Sequence, residues 1–222
     1  MSLWGKRADM LEHESDPYNA EPPLAALAGQ PVTATDTFYS RNHGPVPDID
    51  PVAWRLVVDG LVHTPLELLL ADLAARFAER TLSATLQCAG NRRSGLIAVR
   101  DIPGEDPWQG GATSTATWTG VRLGDVLTAA GLTGDAAHVC FAAPDVSSLA
   151  DPPQPYGGSV PVAKATSAEV LLAWAMNGRP TPSPGLSRRG IIPRPSSATV
   201  MPTRSARITA SSRTSPGRSA ST

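Results

Sequence analysis

One stretch, Thr85-Leu-Gln-Cys-Ala-Gly-Asn-Arg-Arg-Ser94, gathers the residue types that can do chemistry. Cys88 supplies a thiol at the end of an alternating run, and Ala89 and Gly90 allow close backbone approach. Arg92 and Arg93 then place two guanidinium groups just beyond it. Cations beside a cysteine favour its thiolate, the form that attacks electrophiles and binds soft metals. Guanidinium forks recognise planar or tetrahedral oxyanions. The stretch reads as a soft-metal ligand or a nucleophile beside an oxyanion pocket. The competing reading is a half-buried cysteine at a strand end followed by surface arginines. Elsewhere reactive side chains are sparse. Cys140 alternates with Val139 and Phe141 as a core residue would. His63 reads as a solvated turn residue, and His138 precedes a buried strand. The four His and two Cys lack zinc-ligand spacing, no Cys-x-x-Cys occurs, and two cysteines cannot build a disulfide framework.

The elements that must position these groups are short. Trp54–Gly60 and Thr81–Gln87 alternate as strands, the second delivering Cys88. Leu68, Leu69, Leu73 and Phe77 recur at helical spacing after Thr64-Pro65, which predicts a helix starting there. Leu123–Ala130 reads as a helix stopped by Gly131, and Ala137–Ala142 as a buried strand. Ala168–Met176 is helix or strand, closed by the Asn177-Gly178 turn. Thr37–Pro47, Gly90–Gly111 and Pro144–Gly158 read as loops. Strands and short helices intermix without a regular βαβ order, so the fold class is α+β.

With 41% hydrophobic and 18% charged residues over 222 positions, the chain can bury a core. Its 22 Pro and 19 Gly favour short elements over a helical bundle. No apolar run is long enough to span a membrane, residues 1–22 have no signal-like apolar core, and a cytoplasmic location is expected. A net charge of −1 gives no case for nucleic-acid binding. The charge is unevenly spread. Residues 181–222 hold seven Arg and no acid, which leaves −8 on residues 1–180. That segment also holds ten Ser, six Thr and six Pro, and predicts a disordered basic tail. An altered reading frame after Asn177 would produce so abrupt a break.

Gln87-Cys-Ala-Gly-Asn-Arg-Arg-Ser94 resembles the signature of the sulfite oxidase family, molybdopterin-dependent oxidoreductases that include eukaryotic assimilatory nitrate reductase. Asn19-Ala-Glu-Pro-Pro23, Arg41-Asn-His-Gly-Pro-Val-Pro47, Trp108–Leu127, His138–Phe141, Tyr156-Gly-Gly-Ser159 and Met176-Asn-Gly178 resemble the family in the same order. The resemblance implies a flexible segment at 1–18, a partial sulfite oxidase-like molybdopterin-binding domain at 19–180, and the tail at 181–222. It implies the molybdenum cofactor, Mo-molybdopterin, with Cys88 as the metal ligand. Arg41, Arg93 and Trp108 take the places of catalytic-pocket residues. Tyr39, Ser40, Arg41, Asn42, His43 and Asp145 join Cys88 as cofactor contacts.

The implied reaction transfers an oxygen atom from molybdenum to sulfite, giving sulfate, with electrons passed to an external acceptor such as a cytochrome. The family's next cofactor-anchoring motif, a pocket tyrosine and the immunoglobulin-like dimerisation domain have no counterpart in 181–222. A homodimer is therefore not expected, and an inactive fragment of the family is the first alternative. Nitrate reductase-like oxyanion reduction is the second.

Overall fold

Alternation of apolar and polar side chains dominates the architecture. The computed structural model describes residues 5–42, 44, 50, 52–147, 152–180, 199–200 and 205–212. In chain order the elements are β1 (Leu11–Ser15), β2 (Tyr18–Glu21), β3 (Arg55–Gly60), β4 (Leu66–Leu69), α1 (Leu70–Arg76), β5 (Glu79–Gln87), α2 (Arg93–Ile97) and β6 (Thr113–Arg122). They continue with α3 (Leu123–Ala130), β7 (His138–Ser147), β8 (Gln154–Pro161), α4 (Val162–Ala165), β9 (Leu171–Met176), β10 (Arg179–Pro180), β11 (Thr199–Val200) and β12 (Ser205–Ser211). The expected α+β mixture of strands and a few short helices is what forms. The chain divides into two units. One comprises Met1–Val46, Leu82–Trp118 and Ala175–Arg188, and the other Pro47–Thr81, Thr119–Trp174 and Arg189–Thr222.

The second unit is built on a sheet of order β4-β3-β12-β7-β8. Leu56, Val58, Leu68, Val139, Phe141, Val160 and Ile208 alternate inward from its strands and meet Leu123, Val126 and Leu127 of α3. Apolar burial of this kind contributes about 1.5–3 kcal/mol per large side chain. Gly131, at φ 71°, ends α3 by donating its N–H to the Leu127 carbonyl, as expected.

Two expected elements differ. The helix predicted from Pro65 is preceded by β4, which pairs Leu68 with Leu56 across an antiparallel hairpin. Cross-strand packing outweighs helical spacing over those four residues, and the helix begins only at Leu70. The stretch expected as a Pro-rich loop between 144 and 158 falls largely within β7 and β8, which pair antiparallel.

The largest correction concerns the C-terminal segment. Ser205–Ser211, inside the stretch expected to be disordered, forms β12 in the middle of the sheet. It runs parallel to β3, with Ile208 opposite Val58, and antiparallel to β7, with Ile208 opposite Phe141. Ala206, Ile208 and Ala210 share one face, and Ile208 and Ala210 are buried. On the other face Arg207 and Thr209 both donate to Asp59, the threonine at 2.7 Å. Gly60, at φ 83°, has no room for a side chain, because a Cβ there would lie 2.3 Å from the Ala210 carbonyl oxygen. Ile208→Ala is expected to cost about 2–4 kcal/mol of unfolding free energy, checked by urea denaturation. A dispensable tail would show no change.

In the first unit β1 and β2 form an antiparallel hairpin. The 1–18 segment, expected to be flexible, thus contributes a paired strand and the buried Lys6. All four residues of β2 are buried. Trp118 donates its indole N–H to the Ala84 carbonyl at 3.3 Å and meets Phe38 edge-on at 5.9 Å. Asn177, left-handed at φ 52° in the expected turn, donates through its side chain to the Thr33 carbonyl at 2.9 Å.

Candidate functional site

Cys88 stands one residue beyond β5, at half-buried depth. Its N–H donates to the Ala112 carbonyl at 2.9 Å, and the Gly90 N–H points at its Sγ at 3.3 Å. The chain turns at once: Asn91 donates back to the Cys88 carbonyl at 3.0 Å, and Arg93 to the Gly90 carbonyl at 2.9 Å, opening α2. Arg92 is left-handed at φ 68° and exposed. Arg93 folds back over Gly90, where an added Cβ would lie 2.8 Å from the guanidinium carbon. Of the paired arginines, Arg93 is therefore the one held against the cysteine loop. Its Nη1 donates to the Asp106 carbonyl at 3.1 Å and pairs with Glu105 at 2.6 Å.

The segment 108–112 is a rail for this loop. Carbonyls of Trp108, Gln109 and Ala112 accept from Ser94, Arg92 and Cys88 at 3.0, 2.5 and 2.9 Å. Two of the rail's own N–H groups are taken by Glu21 at the end of β2. Gln109 and Gly111 donate to its two carboxylate oxygens at 2.5 and 2.6 Å, and His13 Nε2 hydrogen-bonds it at 2.8 Å. Both side chains are almost fully buried, His13 at 4% and Glu21 at 1% exposure. The bonds to Glu21 are charge-assisted and stronger than neutral ones. Gly111 must be glycine, since a Cβ there would lie 2.2 Å from the Pro22 carbonyl oxygen.

The other end of β2 fixes the arginine loop. Ala20 and Ser40 exchange both backbone hydrogen bonds, at 2.9 and 2.8 Å. Asn19 takes the Asn42 N–H on its Oδ1 and donates to the Asn42 carbonyl at 3.1 Å. Asn42 returns a bond to the Tyr18 carbonyl, and Arg41 donates through Nη1 to the Asn42 carbonyl. β2 thus orients both candidate loops. Glu21 and Asn19 carry this work, and neither is distinguished in sequence except by lying in the Asn-Ala-Glu-Pro-Pro motif.

Tyr39 stacks on Phe38 and approaches Trp108 edge-on at 6.5 Å. Burial, and then the charge of Cys88, push its phenol well above the usual range, so the hydroxyl stays protonated. Trp108 is fully buried and lies 4.6 Å from the His13 ring. Tyr39, Ser40, Arg41, Asn42, Cys88, Arg93 and Trp108 therefore all belong to the first unit, most of them fixed by β2 and the rail. Ser40 contributes through its backbone. His43 lies outside the described residues. Asp145 lies on β7 and is assigned to the second unit; its side chain is outside the described part.

Lys6 lies beneath the arginine loop. Its ammonium donates to the Phe38 and Thr35 carbonyls at 2.7 and 3.1 Å. Burial lowers its pKa to about 8, against a smaller opposing pull from Asp36. The unfolded chain keeps that proton to near 10.5, so between these values the folded state binds fewer protons. The cost of burying the charge is present below pH 8 and fades as pH rises. Relative to Lys6→Met, the native protein should gain on the order of 2 kcal/mol between pH 8 and pH 10. Chemical denaturation at the two pH values checks this.

Fold and site together define a class. Residues 43–212 match the family model for the oxidoreductase molybdopterin binding domain, and the chain belongs to that family. Within it the chain is similar to sulfite oxidases. It is 48% identical over 172 residues to sulfite oxidase of Gallus gallus, covering 75% of this chain and 36% of that one. It is 39% identical over 173 residues to sulfite oxidase of Arabidopsis thaliana, covering 73% and 43%. A nitrate reductase [NAD(P)H] of Hordeum vulgare is 38% identical over 202 residues, covering 86% and 22%. The chain therefore spans less than half of each of these relatives. The crystal structure of the sulfane dehydrogenase SoxCD from Paracoccus pantotrophus superposes with a TM-score of 0.66 at 25% identity, over 90% of this chain and 49% of that one.

The residues present fit the cofactor that this family binds, Mo-molybdopterin. Asn42 Oδ1, Asn91 Oδ1 and Trp108 Nε1 are buried without a hydrogen-bond partner among the described residues. Each such group costs about 1–3 kcal/mol when left unsatisfied. Two acceptors and one donor suit the N–H-rich, carbonyl-bearing edge of a pterin. Cys88 offers the soft sulfur donor that molybdenum favours. Among the described residues no helix is long and apolar enough to cross a membrane, and no group of three or more His, Cys, Asp and Glu could hold a metal.

Proposed function

We propose that this chain carries the catalytic domain of a sulfite-oxidising molybdenum enzyme, taking sulfite to sulfate and passing electrons to an external acceptor. The observation that carries this reading is Gly90, whose N–H points at Cys88 Sγ while the Arg93 guanidinium folds over its Cα. It sets a soft ligand and an oxyanion-binding guanidinium on one short loop. The likeness to sulfite oxidases supports the substrate.

In this reading Cys88 holds the metal, and Asn42, Asn91 and Trp108 take the pterin edge with their unpaired polar atoms. Bound there, the cofactor supplies the two-electron couple and the transferred oxygen. Arg93 and Arg41 offset the substrate's negative charge and aim its sulfur lone pair; charge-assisted contacts of this kind contribute roughly 1.5–3 kcal/mol each. The protonated Tyr39 donates a hydrogen bond rather than adding charge. Buried Trp108, backed by His13, keeps water from that side.

The test is expression in a host that makes molybdopterin. The molybdenum-to-protein ratio and sulfite-dependent reduction of an artificial acceptor are then measured. A ratio near one with no sulfite response sinks the substrate, and a ratio near zero in folded protein leaves the inactive-fragment reading. The likeness to nitrate reductase favours one alternative, reduction of nitrate, which the same preparation tests with a reduced dye as donor.

A further inference from the structure

The oxyanion-facing arginine carries its own counter-ion. Arg93 Nη1 donates to the Asp106 carbonyl at 3.1 Å and is ion-paired with the Glu105 carboxylate at 2.6 Å. Its Nε and Nη2 edge, the side that can grip two oxygens at once, makes no hydrogen bond among the described residues. The arginine side chain is 17% exposed and the glutamate 43%, so the pair is screened by protein on one side and open to water on the other. Glu105 therefore leaves the fork open while cancelling much of the charge behind it.

We propose that Glu105 is a specificity-determining residue that sets the charge preference of this site, holding down its affinity for dianions relative to monoanions. The proposal rests on the reading of Arg93 as the oxyanion-binding arginine. Coulomb energy is linear in ligand charge. A fixed negative charge a few ångströms from the fork therefore opposes a dianion with twice the energy it opposes a monoanion of similar size. Sulfate and nitrate are suitable probes, one of each charge. Glu105→Gln keeps the size and shape of the side chain and leaves the Nη1 bond to the Asp106 carbonyl in place, so the guanidinium keeps its orientation and the charge is removed.

The experiment is calorimetric titration of the full chain with sodium sulfate and sodium nitrate at fixed ionic strength. Native protein, Glu105→Gln and Arg93→Gln are compared, with circular dichroism to confirm folding. Glu105→Gln is expected to bind nitrate about twofold and sulfate about fourfold more tightly, a partly exposed pair being worth only a fraction of a kcal/mol per unit charge. Both gains should shrink as salt is added. Equal gains for the two anions, or no gain, or weaker binding, would overturn the proposal while leaving Arg93 as the anion's partner if Arg93→Gln abolishes binding. If Arg93→Gln binds sulfate like the native protein, or if no variant binds it, the reading of Arg93 falls and the proposal with it.

Discussion

Replacing Cys88 by serine is expected to lower sulfite-dependent turnover by more than about a hundredfold, with a matching loss of bound molybdenum. Mutation of residues that only orient a metal ligand already costs 10–100-fold; here the proposed ligand itself is removed, and a hydroxyl is a poor donor to a soft metal. Folding should be nearly unaffected. The thiol is half-buried and its one hydrogen bond among the described residues is from the Gly90 N–H at 3.3 Å, which a hydroxyl can also accept. Metal analysis alongside a thermal melt checks both halves. Full molybdenum content in Cys88→Ser would remove Cys88 from the metal site, and with it the proposed chemistry.

Glu21→Gln should produce the largest loss of stability of any isosteric change in the first unit, about 2–4 kcal/mol. The carboxylate accepts from two backbone N–H groups and from His13, and only 1% of it is exposed. An amide offers one oxygen, so its NH2 group must face the Gln109 N–H, the Gly111 N–H or His13. One donor is then left opposing another in a buried place. For a chain of this length the melting temperature should fall by roughly 5–15 °C. The loss should reach the site as well, because the freed rail holds Cys88, Arg92 and Ser94. Alkylation of Cys88, followed by peptide mass mapping under native conditions, should be faster in Glu21→Gln. An unchanged rate at lowered stability would mean that Glu21 supports the unit without orienting the cysteine loop.

Much of the site was legible in the chain because its chemistry is local. Cys88, Gly90 and Arg93 lie within six residues, and a strand that ends at a glycine-containing turn lets the guanidinium fold back over the loop that starts at the thiol. The helix Leu123–Ala130 with its Gly131 stop, and the strands at 55–60 and 79–87, are likewise marked by periodicity and turn residues. What could not be read is what depends on partners far away in sequence. Glu21 is an ordinary acid until residues about ninety positions later bring their N–H groups to it. Glu105 is one of 20 acidic residues until α2 turns Arg93 toward it. Leu66–Leu69 has helical spacing, but β3 is already there to pair with it.

β12 is the clearest case. Its apolar positions, Ala206, Ile208 and Ala210, are too few and too small to predict a strand within a Ser-, Pro- and Arg-rich segment. It becomes the middle of a sheet because β3 and β7 present two unsatisfied edges, Asp59 stands beside Arg207 and Thr209, and Gly60 leaves room for the Ala210 backbone. The sequence by itself determined the reactive loop and the local elements, since those follow from neighbours along the chain. Only the tertiary structure decided how that loop is held and which segments complete the core. Buried hydrogen bonds and strand pairing are made between residues whose proximity no local pattern records.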